Sequence, residues 1–339
     1  MSLDKNPPIK LAVIGVGEFG IEHLKALQSI RGVEVCGVCD RNEDRLNNIS
    51  KKFQIKNVYT DARELLQVEM LDGVIIATDE KSHEPLAHMA VSYKKHILLE
   101  KPITTSIEAA NKLLELDQKS DQIIMPGHML RFDPGYIKVR SAIEEIGKPL
   151  ISLRLKRNVP IERFNLHSRT HPVFMALAHD VDQLIWNTES VPKRIFAMER
   201  KIVPDNNTPG VFLGLIEMED GLLCSLETQW CFPDEYGQYL DVELEAMYDG
   251  GHIKYRYPGN TIHLMHEGML SQPDIQLFPV VHGNIAGALR NELEHFIQLI
   301  ENDQNNSVVT MQEAVLGVKI CNALIRSAQE QRVIMWEEI

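Results

Sequence analysis

The stretch Val13-Ile14-Gly15-Val16-Gly17-Glu18-Phe19-Gly20 most narrows the folds open to this chain. Its glycines have GxGxxG spacing. They follow an apolar, strand-like run and open an amphipathic segment near Phe19–Ile30. Gly15 permits a tight turn, Gly17 lets backbone approach a pyrophosphate, and Gly20 allows close helix–strand packing. The amides and dipole of the new helix then receive the anion. Gly15, Gly17, Glu18, Phe19 and Gly20 are therefore expected to bind a dinucleotide. Asp40 ends the next strand-like run, twenty residues after Gly20, where a carboxylate binds ribose hydroxyls. Its charge favours NAD over NADP. The neighbouring Arg41 could pair with a 2′-phosphate, which keeps NADP open.

Short apolar runs alternate with helical patterns through the first ~127 residues. Strands are predicted at Lys10–Gly15, Val33–Cys39, Asn57–Tyr59, Gly73–Ala77, His96–Leu99 and Ile123–Pro126. Helices fit near Phe19–Ile30, Glu43–Phe53, Arg63–Val68, Glu84–Tyr93 and Ile107–Gln118, with Thr105 and Glu108 as a capping box for the last. Strands joined by helices imply parallel βαβ units. The expected fold class is α/β: a Rossmann doubly wound parallel sheet over residues 1–127, then an α+β domain over 128–339. That second domain is expected to hold a large, mostly antiparallel open sheet.

Its predicted elements are a helix near Pro134–Ile146 and strands at Leu150–Asn158, Lys193–Ile202, Val211–Met218, Leu222–Trp230 and Leu240–Tyr248. Asp220-Gly221 marks a hairpin. Helices near Asn284–Glu301 and Gln312–Gln329 close the chain, and the last could pack back on the Rossmann domain.

A formal charge of −13 repels polyphosphates, which argues against a nucleic-acid partner. No apolar run approaches the ~20 residues of a membrane helix, and Met1–Lys10 lacks the apolar stretch of a leader. The expectation is a cytoplasmic protein. Cys36 and Cys39 form a CxxC, but residues three apart on a strand face opposite ways, so no shared metal or disulfide is expected. His263 and His266 are likewise read as ordinary polar positions, and no metal is expected.

His96-Ile97-Leu98-Leu99-Glu100-Lys101-Pro102 closes the fifth strand, at the end where open α/β sheets hold ligands. It closely resembles the signature of the Gfo/Idh/MocA oxidoreductases. The resemblance extends through Ile75-Ile76-Ala77-Thr78 with His83, Arg131-Phe132-Asp133-Pro134, His179-Asp180-Val181-Asp182 and Ala323-Leu324-Ile325-Arg326-Ser327. It implies hydride transfer between NAD(P) and a carbinol or ketone carbon of a sugar, cyclitol or sugar derivative. It also implies Lys101 as the catalytic lysine, and Thr78, His83, Glu100 and Lys101 at the cofactor. The second-domain sheet would form the contact of a homodimer or homotetramer.

Lys101 would polarise the substrate oxygen. His179 is the expected acid/base, since an imidazole titrates near neutrality. Helical spacing puts Met175, His179, Asp182 and Trp186 on one side, opposite an apolar face of Leu177, Val181, Leu184 and Ile185. Many family dehydrogenases carry Asp four residues before the histidine; this chain has Met175. Asp182, His171 or a backbone carbonyl could orient the ring instead. Asp79-Glu80 also departs from the common Pro-Asn after Thr78. Arg131, Asn158, Arg169, His171 and Asp180 are candidate substrate contacts. The run Arg154, Lys156, Arg157, Arg163 and Arg169 could receive an anionic substrate, or form a solvated or subunit-facing strand surface. Two other functions fit the same residues: a non-catalytic NAD-binding sensor, and a glycosidase that uses NAD transiently.

Overall fold

Four-to-seven-residue apolar runs bounded by turn residues become the buried strands of the first sheet. The computed structural model describes residues 7–163, 169–202, 208–233, 240–259, 262, 264–266 and 269–339. The strands are β1 (Ile9–Ile14), β2 (Val33–Cys39), β3 (Val58–Tyr59), β4 (Gly73–Ile76), β5 (His96–Glu100) and β6 (Ile124–Gly127). All pair in parallel, in the order β3-β2-β1-β4-β5-β6. This is the doubly wound order whose direction reverses between β1 and β4. Helices α1 (Glu18–Leu27), α2 (Glu43–Phe53), α3 (Ala62–Leu66), α4 (His83–Ser92) and α5 (Ile107–Lys119) make the crossovers. Leu11, Ala12, Val13, Val74, Ile75 and Ile76 are buried on both sheet faces.

Boundaries in this half differ from expectation by three residues at most. The cap of α5 is a correction: Ser106 is the N-cap and its Oγ accepts from Ala109 N at 3.3 Å. Thr105 does not fill that place, and Glu108 pairs with Lys112 one turn on.

The second sheet comprises β7 (Leu150–Asn158), β8 (Pro192–Arg200), β9 (Val211–Met218), β10 (Leu223–Gln229), β11 (Asp241–Tyr248) and β12 (Gly251–Tyr257). Its order is β12-β11-β7-β10-β9-β8, extended by the short strand Ile334–Met335. Only β7 and β10 run parallel; the other neighbours are antiparallel. Apolar and polar residues broadly alternate, with Leu153, Leu155, Phe212, Ile216, Leu226, Leu244 and Ala246 on the buried face. Helices α6 (Pro134–Ile146) and α7 (Ala178–Thr188) pack there. Gly214 faces Leu324 so closely that a Cβ would lie 2.6 Å from its Cδ2.

Asp220-Gly221 forms the predicted hairpin, with Gly221 at φ +88°. The partner hairpin β11–β12 turns on Asp249-Gly250, the same chemistry with Gly250 at φ +94°; β12 was not predicted. Helix α8 (Ala288–Asn302) starts later than expected because Asn284–Ile285 pairs with Val280–Val281. Helix α9 (Met311–Glu330) closes the chain.

Two compact units result: Met1–Asp133 with Gln276–Val315, and Pro134–Ile275 with Leu316–Ile339. The segment joining the Rossmann unit is therefore mainly α8. Residues 316–330 of α9 belong to the second unit, where Ser327 Oγ accepts from Ala197 N at 2.9 Å. Among the described residues, no helix is long and apolar enough to cross a membrane.

One buried ion pair braces the second unit. Arg157 donates from Nε to Asp180 Oδ2 at 2.7 Å and from Nη2 to Oδ1 at 3.2 Å. Both side chains are almost wholly excluded from solvent. Removing one partner leaves the other charge in a medium that solvates it poorly. Asp180→Ala is expected to destabilise the protein by about 3–5 kcal/mol, read as a lower urea midpoint. An unchanged midpoint would contradict this role.

Candidate active site

The carboxyl ends of β1 and β4 leave no room for a side chain at Gly15. Its φ is +90°, and a Cβ there would lie 2.5 Å from Ala77 O. A Cβ on Gly20 would lie 2.0 Å from Gly15 O, so α1 must start against the turn. Gly17 differs, because a Cβ on it meets no atom within 4 Å. It is the N-cap of α1 and no side chain caps the helix. The first-turn amides are thus left to an anionic ligand, and the bare glycine allows its approach. These features fit a bound dinucleotide pyrophosphate.

Asp40 sits at the end of β2. Its Oδ2 accepts from Val16 N and Arg45 Nη1, each at 3.0 Å, and its Oδ1 from Asn42 N at 2.9 Å. The carboxylate therefore stiffens the glycine turn as well as standing where the adenosine ribose is expected. Arg41 is exposed beside it. Arg45 was missed in the sequence. The signal available was Asn42, whose side chain caps α2 by accepting from Arg45 N at 2.8 Å.

Next to this cradle, His83 ties two loops together. Its Nδ1 lies 3.1 Å from Pro102 O and its Nε2 3.2 Å from Thr78 O. Burial lowers its pKa below the ordinary 6.5, against the pull of Glu100; the neutral ring so favoured has one N–H and donates to one of the two carbonyls at a time. Thr78 Oγ1 accepts from Ser82 Oγ at 3.0 Å. Glu80 is buried nearby and contributes to the field on His83.

Glu100 ends β5 and is 6% exposed. It accepts from Lys101 N at 3.0 Å. Lys101 is half-buried and precedes a cis Lys101–Pro102 bond. Gly15, Gly17, Glu18, Phe19, Gly20, Asp40, Arg41, Thr78, His83, Glu100 and Lys101 all belong to this one unit.

In the second unit, a π-helical turn, Val173–Leu177, runs directly into α7. Such turns recur at functional sites, and sequence periodicity gave no sign of this one. His179 is half-buried, while Leu177, Val181, Leu184 and Ile185 are buried as expected. Met175 packs into an apolar group with Val159, Ala176, Trp230 and Leu240.

Several proposed substrate contacts have partners inside their own unit. Arg131 is 2% exposed and holds Glu313 at 2.9 Å and the Val308 carbonyl at 3.0 Å. Asp180 is the buried partner of Arg157. Asn158 Oδ1 accepts from Gln229 N, and its Nδ2 donates to Asp241 Oδ2. These contacts tie elements together and do not present the three side chains to solvent. His171 Nδ1 accepts from Val173 N at 3.2 Å, so Nε2 carries the proton toward Glu199 at 3.0 Å. That ring is thereby engaged away from His179. Arg169 is exposed.

The basic run on β7 is balanced by acid. Lys156 pairs with Asp241 at 3.0 Å and stands across from Glu227 and Glu243; Arg154 stands across from Glu245. This arrangement does not form a dedicated anion pocket. Cys36 and Cys39 are both free thiols, and burial pushes the Cys39 thiol up to about 12. Among the described residues no group of three or more His, Cys, Asp or Glu could hold a metal. His263 lies outside the described residues, as does the side chain of His266.

Parallel strand order, glycine cradle and terminal carboxylate together define an NAD-binding Rossmann protein. Sequence comparison narrows the class. The profile of the oxidoreductase family with an NAD-binding Rossmann fold, GFO_IDH_MocA, matches residues 9–128. That of the GFO/IDH/MocA C-terminal domain matches 140–254. The chain belongs to the Gfo/Idh/MocA oxidoreductase family.

It is 25% identical over 272 residues to an inositol 2-dehydrogenase/D-chiro-inositol 3-dehydrogenase of Shouchella clausii, covering 79% of this chain and 72% of that one. The myo-inositol 2-dehydrogenase structure from Lactobacillus plantarum superposes with a TM-score of 0.85 at 21% identity, over 97% of this chain and 99% of that one. The scyllo-inositol dehydrogenase of Lactobacillus casei, crystallised with NAD(H) and scyllo-inositol, also gives 0.85, at 20% identity and the same coverage.

Gly15 and Gly17 separate folding from binding. Gly15→Ala forces a side chain into positive φ against a carbonyl, and is expected to cost at least about 1–3 kcal/mol. Gly17→Ala is expected to melt within about 1 kcal/mol of the parent while losing NADH affinity in a fluorescence titration. Equal NADH affinity in folded Gly17→Ala would remove the pyrophosphate assignment.

Proposed function

We propose that this protein is an NAD-dependent dehydrogenase acting on a ring CH–OH of a cyclitol, sugar or sugar derivative. The observation that carries the reading is Lys101, set directly after a buried strand end in the unit that holds the glycine cradle. The inositol dehydrogenases named above support a cyclitol as the first substrate class to test. Bound NAD supplies the hydride acceptor. Lys101 places a positive charge on the carbinol oxygen, which favours the developing alkoxide. His179 exchanges the hydroxyl proton, a task suited to an imidazole. Arg169 is the remaining candidate for a substrate hydroxyl or carboxylate.

Steady-state NADH formation over inositols, sugars, uronates and nucleotide-sugars, with both dinucleotides, tests this reading. Lys101→Met and His179→Ala are each expected to lower turnover by about two orders of magnitude. Wild-type turnover in a folded variant removes that residue's role. Ligand-dependent dinucleotide binding without turnover would identify a sensor, a reading favoured by Met175 in its apolar group. Release of free sugar from a glycoside with no net NADH would identify a glycosidase.

We also infer that the open face of the second sheet receives a second copy of this chain. Met198 opposite Leu213, Phe196 opposite Leu215, and Leu223 form an apolar patch there. Met198, Leu215 and Leu223 are 62%, 58% and 58% exposed. Contiguous exposed apolar surface of this kind marks an interface. Lys156, Lys254 and Arg256 interleave with Glu227, Glu243 and Glu245 on the same face. A patch carrying both signs can complement its own copy across a two-fold axis. Leu213→Glu with Leu215→Glu is expected to halve the sedimenting mass or more. A parent protein that sediments as a monomer would refute the inference.

A further inference from the structure

We propose that His23 is a positioning residue for Lys101, acting through the Glu100 carboxylate; the proposal rests on the role given to Lys101 above. His23 lies on α1, the helix that opens at the glycine turn, and is 0% exposed. Its Nε2 is 2.8 Å from Glu100 Oε1. Among the described residues its buried Nδ1 meets no hydrogen-bond partner, so the polar contact of the ring is the one to Glu100. Phe19 holds the ring edge-on, with centroids 5.1 Å apart.

Glu100 is equally committed. Oε1 faces His23 and Oε2 accepts from the Lys101 backbone N–H. Gly127 on β6 makes space for it: a Cβ there would come within 3.2 Å of Glu100 Cα and 3.3 Å of its carboxyl carbon. A carboxylate this buried takes up a fixed position only when donors satisfy it. His23 supplies one, and the carboxylate in turn fixes the peptide from which the Lys101 side chain springs. His83 lies against the carbonyl of the next residue, Pro102. A reacting group must be kept within about 0.5 Å of its working position. The chain His23–Glu100–Lys101 does this from the same helix that receives the pyrophosphate. Cradle and lysine are thereby set by one rigid element.

A double-mutant cycle on the full-length enzyme with NAD and its best substrate tests the proposal. His23→Leu is expected to lower kcat by about tenfold or more, with the Kd for NADH within about threefold of the parent. In Lys101→Met, the same His23→Leu change is expected to have little further effect, because the group it positions is gone. His23→Gln can put an amide N–H at the place of Nε2 and is expected to restore most of kcat. His23→Asn, one methylene shorter, is not. That pair of polar variants answers the question even if His23→Leu fails to fold.

Independent, multiplicative losses in the cycle overturn the positioning role while leaving Lys101 assigned. So does a loss confined to NADH affinity, or equal turnover of His23→Gln and His23→Asn. Wild-type turnover in Lys101→Met alone overturns the Lys101 reading itself, and His23 falls with it.

Discussion

The approach of Gly15 to the Ala77 carbonyl fixes the first unit. Two parallel strands end side by side at the point where the sheet order reverses, and the chain must turn sharply there. Only a residue without Cβ takes φ +90° at that distance. Once the turn is made, Gly20 brings α1 down on the same peptide. Its N-cap, Gly17, brings no side chain to the amides of the first turn. Asp40 closes the arrangement by accepting from Val16 N. The residue expected to meet the ribose therefore also holds the turn expected to receive the pyrophosphate.

The same helix explains how chemistry is registered against the cofactor cradle. Helix α1 runs from the turn to His23 within two turns. The imidazole reaches Glu100 at the end of β5. Strand β5 lies beyond β4 from β1, and His23 gives α1 a direct contact with its end. Backbone pairing positions the strands; this buried contact positions what projects after them.

Local signals carried most of the fold. Gly15 to Gly20, Asp40 and the Asp220-Gly221 turn each act within a few residues, and each was read from the sequence. β12 was missed although Asp249-Gly250 announces it. Its outward positions are His252, Lys254 and Arg256, and charge on an edge strand hides the alternation while protecting the edge. The site was less legible where residues act over distance. Arg131 finds Glu313, 182 positions away, and Arg157 finds Asp180 across a sheet–helix contact. Side-chain type does not distinguish a charge that meets a ligand from one that meets a buried partner. Arg45 is the converse case, a side chain with no motif of its own that reaches Asp40 Oδ2. By partly neutralising that carboxylate, it weakens the repulsion on which discrimination against a 2′-phosphate depends.

Met175 is the clearest departure from the family pattern, and its surroundings bear on what it means. A carboxylate at this position would sit against Val159, Ala176, Trp230 and Leu240, where desolvation makes an ionised group costly. The apolar neighbours fit methionine. The preceding π-helical turn also breaks the four-residue register that would place residue 175 squarely below His179. His171 does not orient the His179 ring, because its two nitrogens are committed to Val173 N and Glu199. Restoring the family's aspartate alone would place a charge in a cluster built for an apolar chain. Any effect of residue 175 on the chemistry is therefore tied to its packing with Val159, Ala176, Trp230 and Leu240, and not to the single side chain alone.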